Sequence, residues 1–552
     1  MGLSPRPGKC SPPPRPPAAG NVYNAAIMEP REPTPTVTPR IDERGVADFT
    51  LDGGRLTLDG LAAALERPAR VQLADPLWER IQGSCDAVRR ISAGAAPAYG
   101  INTGFGHLCR KRIPPDQVEQ LQTNLIVSHA VAVGDPAPPE IVRWMMLFKI
   151  HALTHGVSGI SRPTLERLIL LLNADALPVV PTQGSLGASG DLAPLAHMVE
   201  PMIGRGAVVL EGQELPGDAA LARLGVEPIA LGPKEGLALI NGTQFMSAYA
   251  AAAIVRARRL ARHADIIAAM SLEGIGGSIK PFDERLHRLR PHAGAVETAA
   301  NIRRMMAGSE ILPSHAECER VQDPYSLRCV PQVHGASRDA IRHAAAVVET
   351  EINSVTDNPL VFEPEQVISG GNFHGQPLAL VLDYLAIALA ELASISERRI
   401  YLLLAGGEGL PTLLMKDTGL NSGFMLPQYT AAALVSENKL LAGPASVDSI
   451  PTSLGQEDHV SMGATAAIKV WRVLANTETV LAIEKMCAAQ ALDFRAPLEP
   501  GVGPRTAHAA VRRVIPHAEA DRAFGDDIRA SLALLRSQAV LEAVHDAGCD
   551  VA

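Results

Sequence analysis

Long segments with the apolar periodicity of an α-helix constrain the fold of this chain more than any other feature of its sequence. In IRHAAAVVETEINSVTDNPLVF, the apolar residues between Ile341 and Val355 fall on one helical face, and Asp357-Asn358-Pro359 ends the pattern. Such segments bury their apolar faces by packing side by side, so we predict a mainly α fold with a long central helical bundle. Further segments of this kind occupy residues 140–156, 244–270, 376–403, 426–441 and 462–493.

Composition favours the same architecture and suggests where its parts begin and end. The chain is 47% hydrophobic but only 4% aromatic, which favours long packed helices over aromatic-rich sheets. The segment FTLDGGRLTLDGLAAAL predicts a strand and a turn before a helix that begins near Leu58. We predict a disordered proline-rich extension, an N-terminal lobe of mixed α/β structure, the central bundle and a C-terminal helical tail, at residues 1–45, 46–240, 241–495 and 496–552.

Charge and cysteine usage exclude several classes of protein. The net charge of −9 is spread without long runs of one sign, so neither nucleic acid nor a membrane surface is an expected partner. The seven cysteines include no C-x-x-C pair, which predicts neither a disulfide framework nor a zinc site and favours a reducing, cytoplasmic location. The most apolar run, residues 384–404, is interrupted by Glu391 and by Glu397-Arg398-Arg399, so we predict no membrane span and no metal, and chemistry on a small molecule.

The segment TQGSLGASGDLAPLAHM at residues 182–198 concentrates glycine and serine before an apolar, helix-like run. A phosphate-binding loop would need Gly-Lys-Ser/Thr, whereas Asp191 follows the glycines here and would repel phosphate. A nucleophile elbow would need Gly-x-Ser-x-Gly, and Gly187-Ala188-Ser189-Gly190 does not match that spacing. A structural turn in which Asp191 caps the following helix remains possible.

A second possibility uses the chemistry of Ala188-Ser189-Gly190 itself. Small side chains permit a sharp turn, and glycine adopts strained dihedral angles at little cost. The nitrogen of Gly190 could then reach the carbonyl carbon of Ala188. Cyclisation and loss of water would convert Ser189 into an exocyclic methylene, which is an electrophile that no unmodified side chain provides.

With this tripeptide the chain resembles the histidine, phenylalanine and tyrosine ammonia-lyase family, whose 4-methylidene-imidazol-5-one group (MIO) forms from Ala-Ser-Gly. The resemblance runs from about residue 50 to the C-terminal region, and further motifs stand in the family's order. They are YGINTGFG at 99–106, LINGTQ at 239–244, VQDPYSLRC at 321–329, GGNFHGQP at 370–377 and QEDHVSM at 456–462. The resemblance implies an ammonia-lyase (fumarase/aspartase-like) fold, no exogenous cofactor, and a homotetramer whose active sites are shared between subunits.

The resemblance implies that Tyr99 is the base that removes a β-proton from the substrate. A tyrosine with a pKa of about 10 is a poor base at neutral pH, so this role needs nearby donors or positive charge. Gly100, Gly104 and Gly106 would let the Tyr99 loop close over the substrate.

The other motifs supply groups that hold the substrate and the electrophile. Arg328 lies among apolar residues, where a guanidinium favours an anionic partner, and the family implies that it binds the substrate carboxylate. The family also implies that Asn241 holds the MIO or the carboxylate. Gln322 and Tyr325 would polarise and position the electrophile, and Phe373 would pack beside it.

Two places bear on the choice of substrate. Ser128-His129 resembles the pair found in histidine lyases, although some aminomutases also have it. Glu457 can accept a hydrogen bond from an imidazole N–H, whereas a phenyl ring would leave this carboxylate unpaired. These residues favour elimination of ammonia from L-histidine to give trans-urocanate, with His129, Arg328 and Glu457 as substrate-binding residues.

Other residues leave two alternative functions open. Leu454-Gly455 departs from histidine lyases and RLRPHAG at 288–294 resembles aromatic-directed relatives, so a tyrosine or phenylalanine ammonia-lyase or 2,3-aminomutase remains possible. A non-catalytic helical scaffold is the third hypothesis, and it predicts a missing catalytic residue.

Overall fold

Helices form most of the described chain, which confirms the predicted fold class. The computed structural model describes residues 35–552 except residues 65, 105, 107–111, 316–319 and 363–364. The helices are α1 (Leu58–Ala62), α2 (Asp75–Ala93), α3 (Val118–His129), α4 (Pro139–Leu153), α5 (Arg162–Asn173), α6 (Leu192–Val199), α7 (Gly217–Arg223), α8 (Glu235–Ile240), α9 (Gln244–Ile275), α10 (Glu284–Leu289), α11 (Ala293–Met305), α12 (Ile311–Ser314), α13 (Tyr325–Arg328), α14 (Val330–Glu351), α15 (Gln376–Ala405), α16 (Met425–Leu441), α17 (Gly463–Asp493), α18 (Val502–Arg512), α19 (Phe524–Arg536) and α20 (Ala539–Asp546).

The bundle is built around α9, which packs against α4, α14, α15 and α17. Small residues such as Ala250–Ala253 are fully buried along α9, and they let neighbouring helices approach closely. The segments predicted at 244–270, 376–403 and 462–493 correspond to α9, α15 and α17. Among the described residues, α15 alone is long and apolar enough to cross a membrane, but 67% of its most apolar window is buried inside the protein. Its packing against α14 and α17 is that of a core helix.

Buried charged side chains connect the helices of the bundle. Arg399 of α15 donates to both carboxylate oxygens of Glu484 of α17 at 2.5 and 2.8 Å, and neither side chain is exposed. Lys485, also buried in α17, donates from Nζ to the carbonyl oxygen of Ser531 in α19 at 2.9 Å. Burial lowers the pKa of Lys485 to about 7.

Short strands accompany the helices, mainly in the part of the chain before residue 241. The strands are β1 (Thr36–Val37), β2 (Arg40–Ile41), β3 (Ala47–Leu51), β4 (Arg55–Leu56), β5 (Ala69–Leu73), β6 (Val133–Pro136), β7 (Leu177–Pro178), β8 (Pro181–Gln183), β9 (Ala207–Leu210), β10 (Gln213–Pro216), β11 (Leu360–Phe362) and β12 (Gln366–Ile368). β3 lies between antiparallel β2 and parallel β5, and β9 lies between β10 and β7, both antiparallel to it. The remaining strands pair as β1–β4, β6–β8 and β11–β12.

Some sequence predictions concern residues outside the described ranges. The proline-rich part of the extension, residues 1–34, is one of them. The compact unit Thr36–Ala552 includes residues 36–45, the last part of the predicted extension. The boundaries at 240/241 and 495/496 stay predictions. Cys10, Cys109 and Cys318 are also outside the described residues, whereas the cysteines at 85, 329, 487 and 549 are free thiols.

Candidate active site

The Ala188-Ser189-Gly190 turn lies between β8 and α6 and presses against the segment that precedes α9. Gly190 has φ +73°, and a Cβ atom placed there would lie only 2.1 Å from the carbonyl oxygen of Gly242. The backbone N–H of Asp191 donates to the same oxygen at 2.7 Å. Position 190 therefore requires glycine both for its dihedral angle and for its closeness to the neighbouring backbone.

Ser189 is half-buried and makes contacts with two distant segments. Its Oγ donates to Oε1 of Glu457 at 2.8 Å, and its carbonyl oxygen accepts a hydrogen bond from Nδ2 of Asn241 at 2.6 Å. The other oxygen of Glu457 accepts a hydrogen bond from Oγ1 of Thr452 at 2.8 Å. Three of the residues predicted for the site, Ser189, Asn241 and Glu457, thus form one connected cluster.

Asp191 has a different partner from the one that its position suggests. It occupies the N-cap position of α6, but its side chain makes no capping hydrogen bond to that helix. Oδ2 instead accepts the backbone N–H of Met246 at 3.0 Å, at the start of α9. The interpretation of Asp191 as a cap of α6 is therefore wrong, because the amide at the start of the longer helix competes for the carboxylate. Burial raises the pKa of Asp191 to about 7.

His129 ends α3 and is close enough to Glu457 for their charges to interact. Ser128 Oγ and His129 Nδ1 are 3.0 Å apart. Burial lowers the pKa of His129, and a backbone hydrogen bond with Leu125 and the negative charge of Glu457 partly oppose that effect. The imidazole is therefore mostly neutral at pH 7, so that one ring nitrogen can donate and the other can accept.

Tyr99 belongs to a loop that lies against the Glu457 segment. The backbone N–H of Gly106 donates to the hydroxyl oxygen of Tyr99 at 3.3 Å. A Cβ atom on Gly106 would lie 3.1 Å from Oγ of Ser453, the residue after Thr452. Phe105 of the same motif is outside the described residues.

Phe373 is half-buried and lies two residues before Gly375, which is close to the segment that contains the tripeptide. A Cβ atom on Gly375 would lie 3.0 Å from Oγ of Ser461, and this hydroxyl donates to the carbonyl oxygen of Gly187 at 3.1 Å. Ser461 therefore lies close to both the Phe373 motif and the residue that precedes the half-buried Ala188.

Gln322, Tyr325 and Arg328 are not joined to this cluster within one chain. Gln322 is exposed, and Tyr325 is 71% exposed. The guanidinium of Arg328 lies 4.6 Å from the centre of the Tyr325 ring, and its Nε is buried without a hydrogen-bond partner. Within the described ranges, none of the three makes a hydrogen bond or ion pair to Ser189, Asn241 or Glu457.

Sequence reasoning missed two residues that support the cluster. Thr452 fixes the second oxygen of Glu457, and Lys149 of α4 donates from Nζ to the carbonyl oxygens of Asn241 and Ala238 at 2.8 and 3.2 Å. Lys149 had a visible signal, because it is the one lysine within the otherwise apolar stretch WMMLFKIHAL. Thr452 had none, since a threonine in a loop is most often a local hydrogen-bonding residue.

Comparisons with known proteins identify the family of the chain. The family model described as aromatic amino acid lyase matches residues 56–513. A histidine ammonia-lyase of Gloeobacter violaceus is 53% identical over 502 residues, covering 90% of this chain and 98% of the relative. A histidine ammonia-lyase of Myxococcus xanthus is 49% identical over 499 residues, again covering 90% and 98%.

Solved structures give the same result at the level of the fold. Histidine ammonia-lyase from Trypanosoma cruzi is 43% identical with a TM-score of 0.83, and the match covers 91% of this chain and 95% of that one. Tyrosine aminomutase from Streptomyces globisporus is 36% identical with a TM-score of 0.85, covering 90% and 98%. Because the family model covers residues 56–513 and the two bacterial relatives match 90% of the chain at 53% and 49% identity, this chain belongs to the aromatic amino acid lyase family.

Proposed function

We propose that this protein is a histidine ammonia-lyase, which eliminates ammonia from L-histidine without oxidation and releases trans-urocanate. The observation that carries the proposal is the cluster in which Glu457 and Asn241 both bind Ser189, at 2.8 and 2.6 Å. This elimination would be the first step in the degradation of histidine.

The residues of the turn fit an MIO group formed from Ala188-Ser189-Gly190. Gly190 has the positive φ of a tight turn, and its contact with Gly242 leaves no space for a side chain. The carbonyl oxygen that would remain on the ring, that of Ser189, already accepts a hydrogen bond from Asn241. When formed, the group supplies an electrophilic carbon for the substrate nitrogen, which makes that nitrogen a good leaving group.

The residues of the chain supply the remaining functions. Tyr99 removes the β-proton, and its hydroxyl oxygen already accepts the N–H of Gly106, a donor that favours the phenolate form. Asn241 draws electron density toward the ring carbonyl through its hydrogen bond, as donors do in an oxyanion hole. Phe373 packs beside the turn.

The substrate imidazole would meet Glu457 and His129. A carboxylate can accept an imidazole N–H, and a phenyl ring offers no such donor, so Glu457 discriminates against phenylalanine. The relatives named histidine ammonia-lyase, at 53% and 49% identity, support the same substrate.

A homotetramer with shared sites would complete the substrate-binding groups. Arg328 would bind the carboxylate of a substrate held mainly by another subunit, with Gln322 and Tyr325 beside it. Exposed apolar side chains follow one face each of α15 and α16 and offer an interface. They are Leu380, Tyr384, Ile387, Tyr401, Leu426 and Tyr429. We further propose that the enzyme acts in the cytoplasm, where its described free thiols would stay reduced.

Mass and product analysis tests the proposal. The peptide that contains residues 188–190 should weigh two waters less than its sequence requires, and histidine should yield urocanate, followed by its ultraviolet absorbance. Ser189→Ala should abolish both the mass loss and the turnover. An unmodified Ser189 in freshly purified protein, or faster turnover of tyrosine than of histidine, would overturn the proposal.

The second candidate function is a tyrosine or phenylalanine lyase or 2,3-aminomutase. It is favoured by Leu454-Gly455 and by the tyrosine aminomutase fold at a TM-score of 0.85. The fold does not separate the two functions, since the histidine lyase structure has a nearly equal score of 0.83. A β-amino acid product, or coumarate or cinnamate formed faster than urocanate, would identify this function.

A further inference from the structure

Lys149 is buried below the Ala188-Ser189-Gly190 turn and does not form the ion pair expected of a buried lysine. It projects from α4, its side chain is 1% exposed, and its Nζ donates to the carbonyl oxygens of Asn241 and Ala238. Asp357, a neighbouring carboxylate, is bound by Lys234 at 3.0 Å and by Ser158 at 2.7 Å. The ammonium group of Lys149 is therefore directed at the backbone where α8 ends.

The backbone that Lys149 binds is also the backbone that holds the turn. The side chain of Asn241 donates to the carbonyl oxygen of Ser189 at 2.6 Å. One residue later, Gly242 forms a parallel β-bridge with Gly190, and its carbonyl oxygen accepts the N–H of Asp191 at 2.7 Å. Asn241 thus binds the peptide group between Ser189 and Gly190, and Gly242 binds the next peptide group, between Gly190 and Asp191.

Cyclisation depends on where the peptide group between Ser189 and Gly190 lies. The nitrogen of Gly190 must add to the carbonyl carbon of Ala188, with its hydrogen passing to the carbonyl oxygen. One water then leaves as that hydroxyl and the hydrogen of the Ser189 nitrogen. A second water leaves as the Ser189 hydroxyl and the hydrogen on its Cα. No oxidant or co-reactant is needed, so the reaction depends on how well the folded chain positions these atoms.

We propose that Lys149 is a positioning residue for formation of the MIO group, acting through the Asn241–Gly242 backbone on Ser189 and Gly190. The inference rests on the proposed function, because it concerns the group which that function requires. The ammonium form suits the role, since it offers three donors in a direction where only carbonyl oxygens are bound. Burial lowers the pKa of Lys149 to about 8, so this form still predominates at pH 7.

The experiment compares Lys149→Met with Lys485→Met in the full-length protein. Methionine keeps the length of the side chain and removes its donors. Lys485 is the matched control, because it too is buried and donates to a backbone carbonyl, that of Ser531, in a different part of the bundle. The mass of the peptide that contains residues 188–190 is followed with time after synthesis. Circular dichroism measures whether each variant is folded.

We expect Lys149→Met to fold and to cyclise on the order of 100-fold more slowly, the effect of misplacing reacting groups. Lys485→Met should cyclise like the parent, and Lys149→Gln, which keeps a donor, should cyclise faster than Lys149→Met. Full cyclisation of folded Lys149→Met at the parent rate would refute the inference. So would failure of both Lys149 variants to fold when Lys485→Met folds, because Lys149 would then be a structural residue. If the parent itself is uncyclised, the proposed function fails; if the parent and folded Lys149→Met cyclise at the same rate, only the inference fails.

Discussion

The hydroxyl of Ser189 donates to Oε1 of Glu457 at 2.8 Å, although 268 residues separate them in the sequence. Thr452 donates to the second carboxylate oxygen, so both oxygens have fixed orientations. In the proposed function, the same carboxylate would accept an imidazole N–H of the substrate beside the electrophile formed from Ser189. The contact with the Ser189 hydroxyl belongs to the chain before cyclisation.

Glu457→Gln should impair the reaction of histidine more than that of tyrosine. The amide group cannot accept hydrogen bonds on both of its terminal atoms, so it cannot bind Thr452 and an imidazole N–H as the carboxylate does. We expect kcat/KM for histidine to fall by about 100-fold or more. Steady-state kinetics with both substrates measures the effect, and Glu365→Gln, an exposed glutamate paired with Arg90, is the control. Equal losses for both substrates would contradict a role in selectivity.

Asn241→Ala should lower kcat by about 10²–10³, the usual cost of losing one donor that stabilises developing charge. The rate must be expressed per cyclised site, measured by mass, because Asn241 also holds the turn before cyclisation. Asn241→Asp removes the donor while keeping the shape, and it should resemble Asn241→Ala. An unchanged kcat per cyclised site in both variants would show that the hydrogen bond to Ser189 plays no part in turnover.

Arg328→Ala and Ser189→Ala should complement each other. Each variant alone should be inactive or nearly so, the first through weak substrate binding and the second through loss of the electrophile. If subunits share sites, unfolding and refolding a mixture in equal amounts should restore about a quarter of the sites, because some then take both intact residues from different chains. Turnover of the mixture is compared with that of each variant refolded alone. No recovery in mixed tetramers would place Arg328 and Ser189 of one site in the same chain.

Lys485→Met should change how stability depends on pH. Burial lowers the pKa of Lys485 from 10.5 to about 7, so between these values the folded protein binds fewer protons than the unfolded chain. The free energy of unfolding contributed by this residue therefore rises as pH rises from 7 toward 10.5, at most by about 1.4 kcal/mol per pH unit. We expect Lys485→Met to resist urea better than the parent at pH 7 and to lose this advantage toward pH 10. A difference in unfolding midpoint that stays constant with pH would contradict the assigned ionisation.

Periodicity predicted the long helices well, because it depends only on which face of a helix is apolar. The segments at 244–270, 376–403 and 462–493 each proved to be a helix of the core, with ends shifted by a few residues. Periodicity could not predict short strands such as β1 and β2. Two residues give no measurable alternation, and their pairing depends on partners distant in the chain.

The contents of the site were predictable as residue types, but their connections were not. The motifs identified Ser189, Asn241 and Glu457. The sequence does not show that Asn241 donates to the carbonyl oxygen of Ser189, or that Glu457 accepts a hydrogen bond from its hydroxyl. Asp191 illustrates the reason, since its side chain accepts an N–H at the start of α9, 55 residues away, and none from α6, which follows it directly. Arg328 illustrates another limit, because its Nε is buried without a hydrogen-bond partner among the described residues, and its motif does not reveal this.

The contact between Gly190 and Gly242 also affects how the protein matures. Position 242 is synthesised after 190, and Glu457 comes far later still, so a nascent chain lacks the surroundings that compress the turn. An electrophile formed at this turn, as proposed, would thus be withheld until the surrounding helices have docked. The fraction of molecules carrying the group would then report the quality of folding, and truncated or misfolded chains would remain chemically inert.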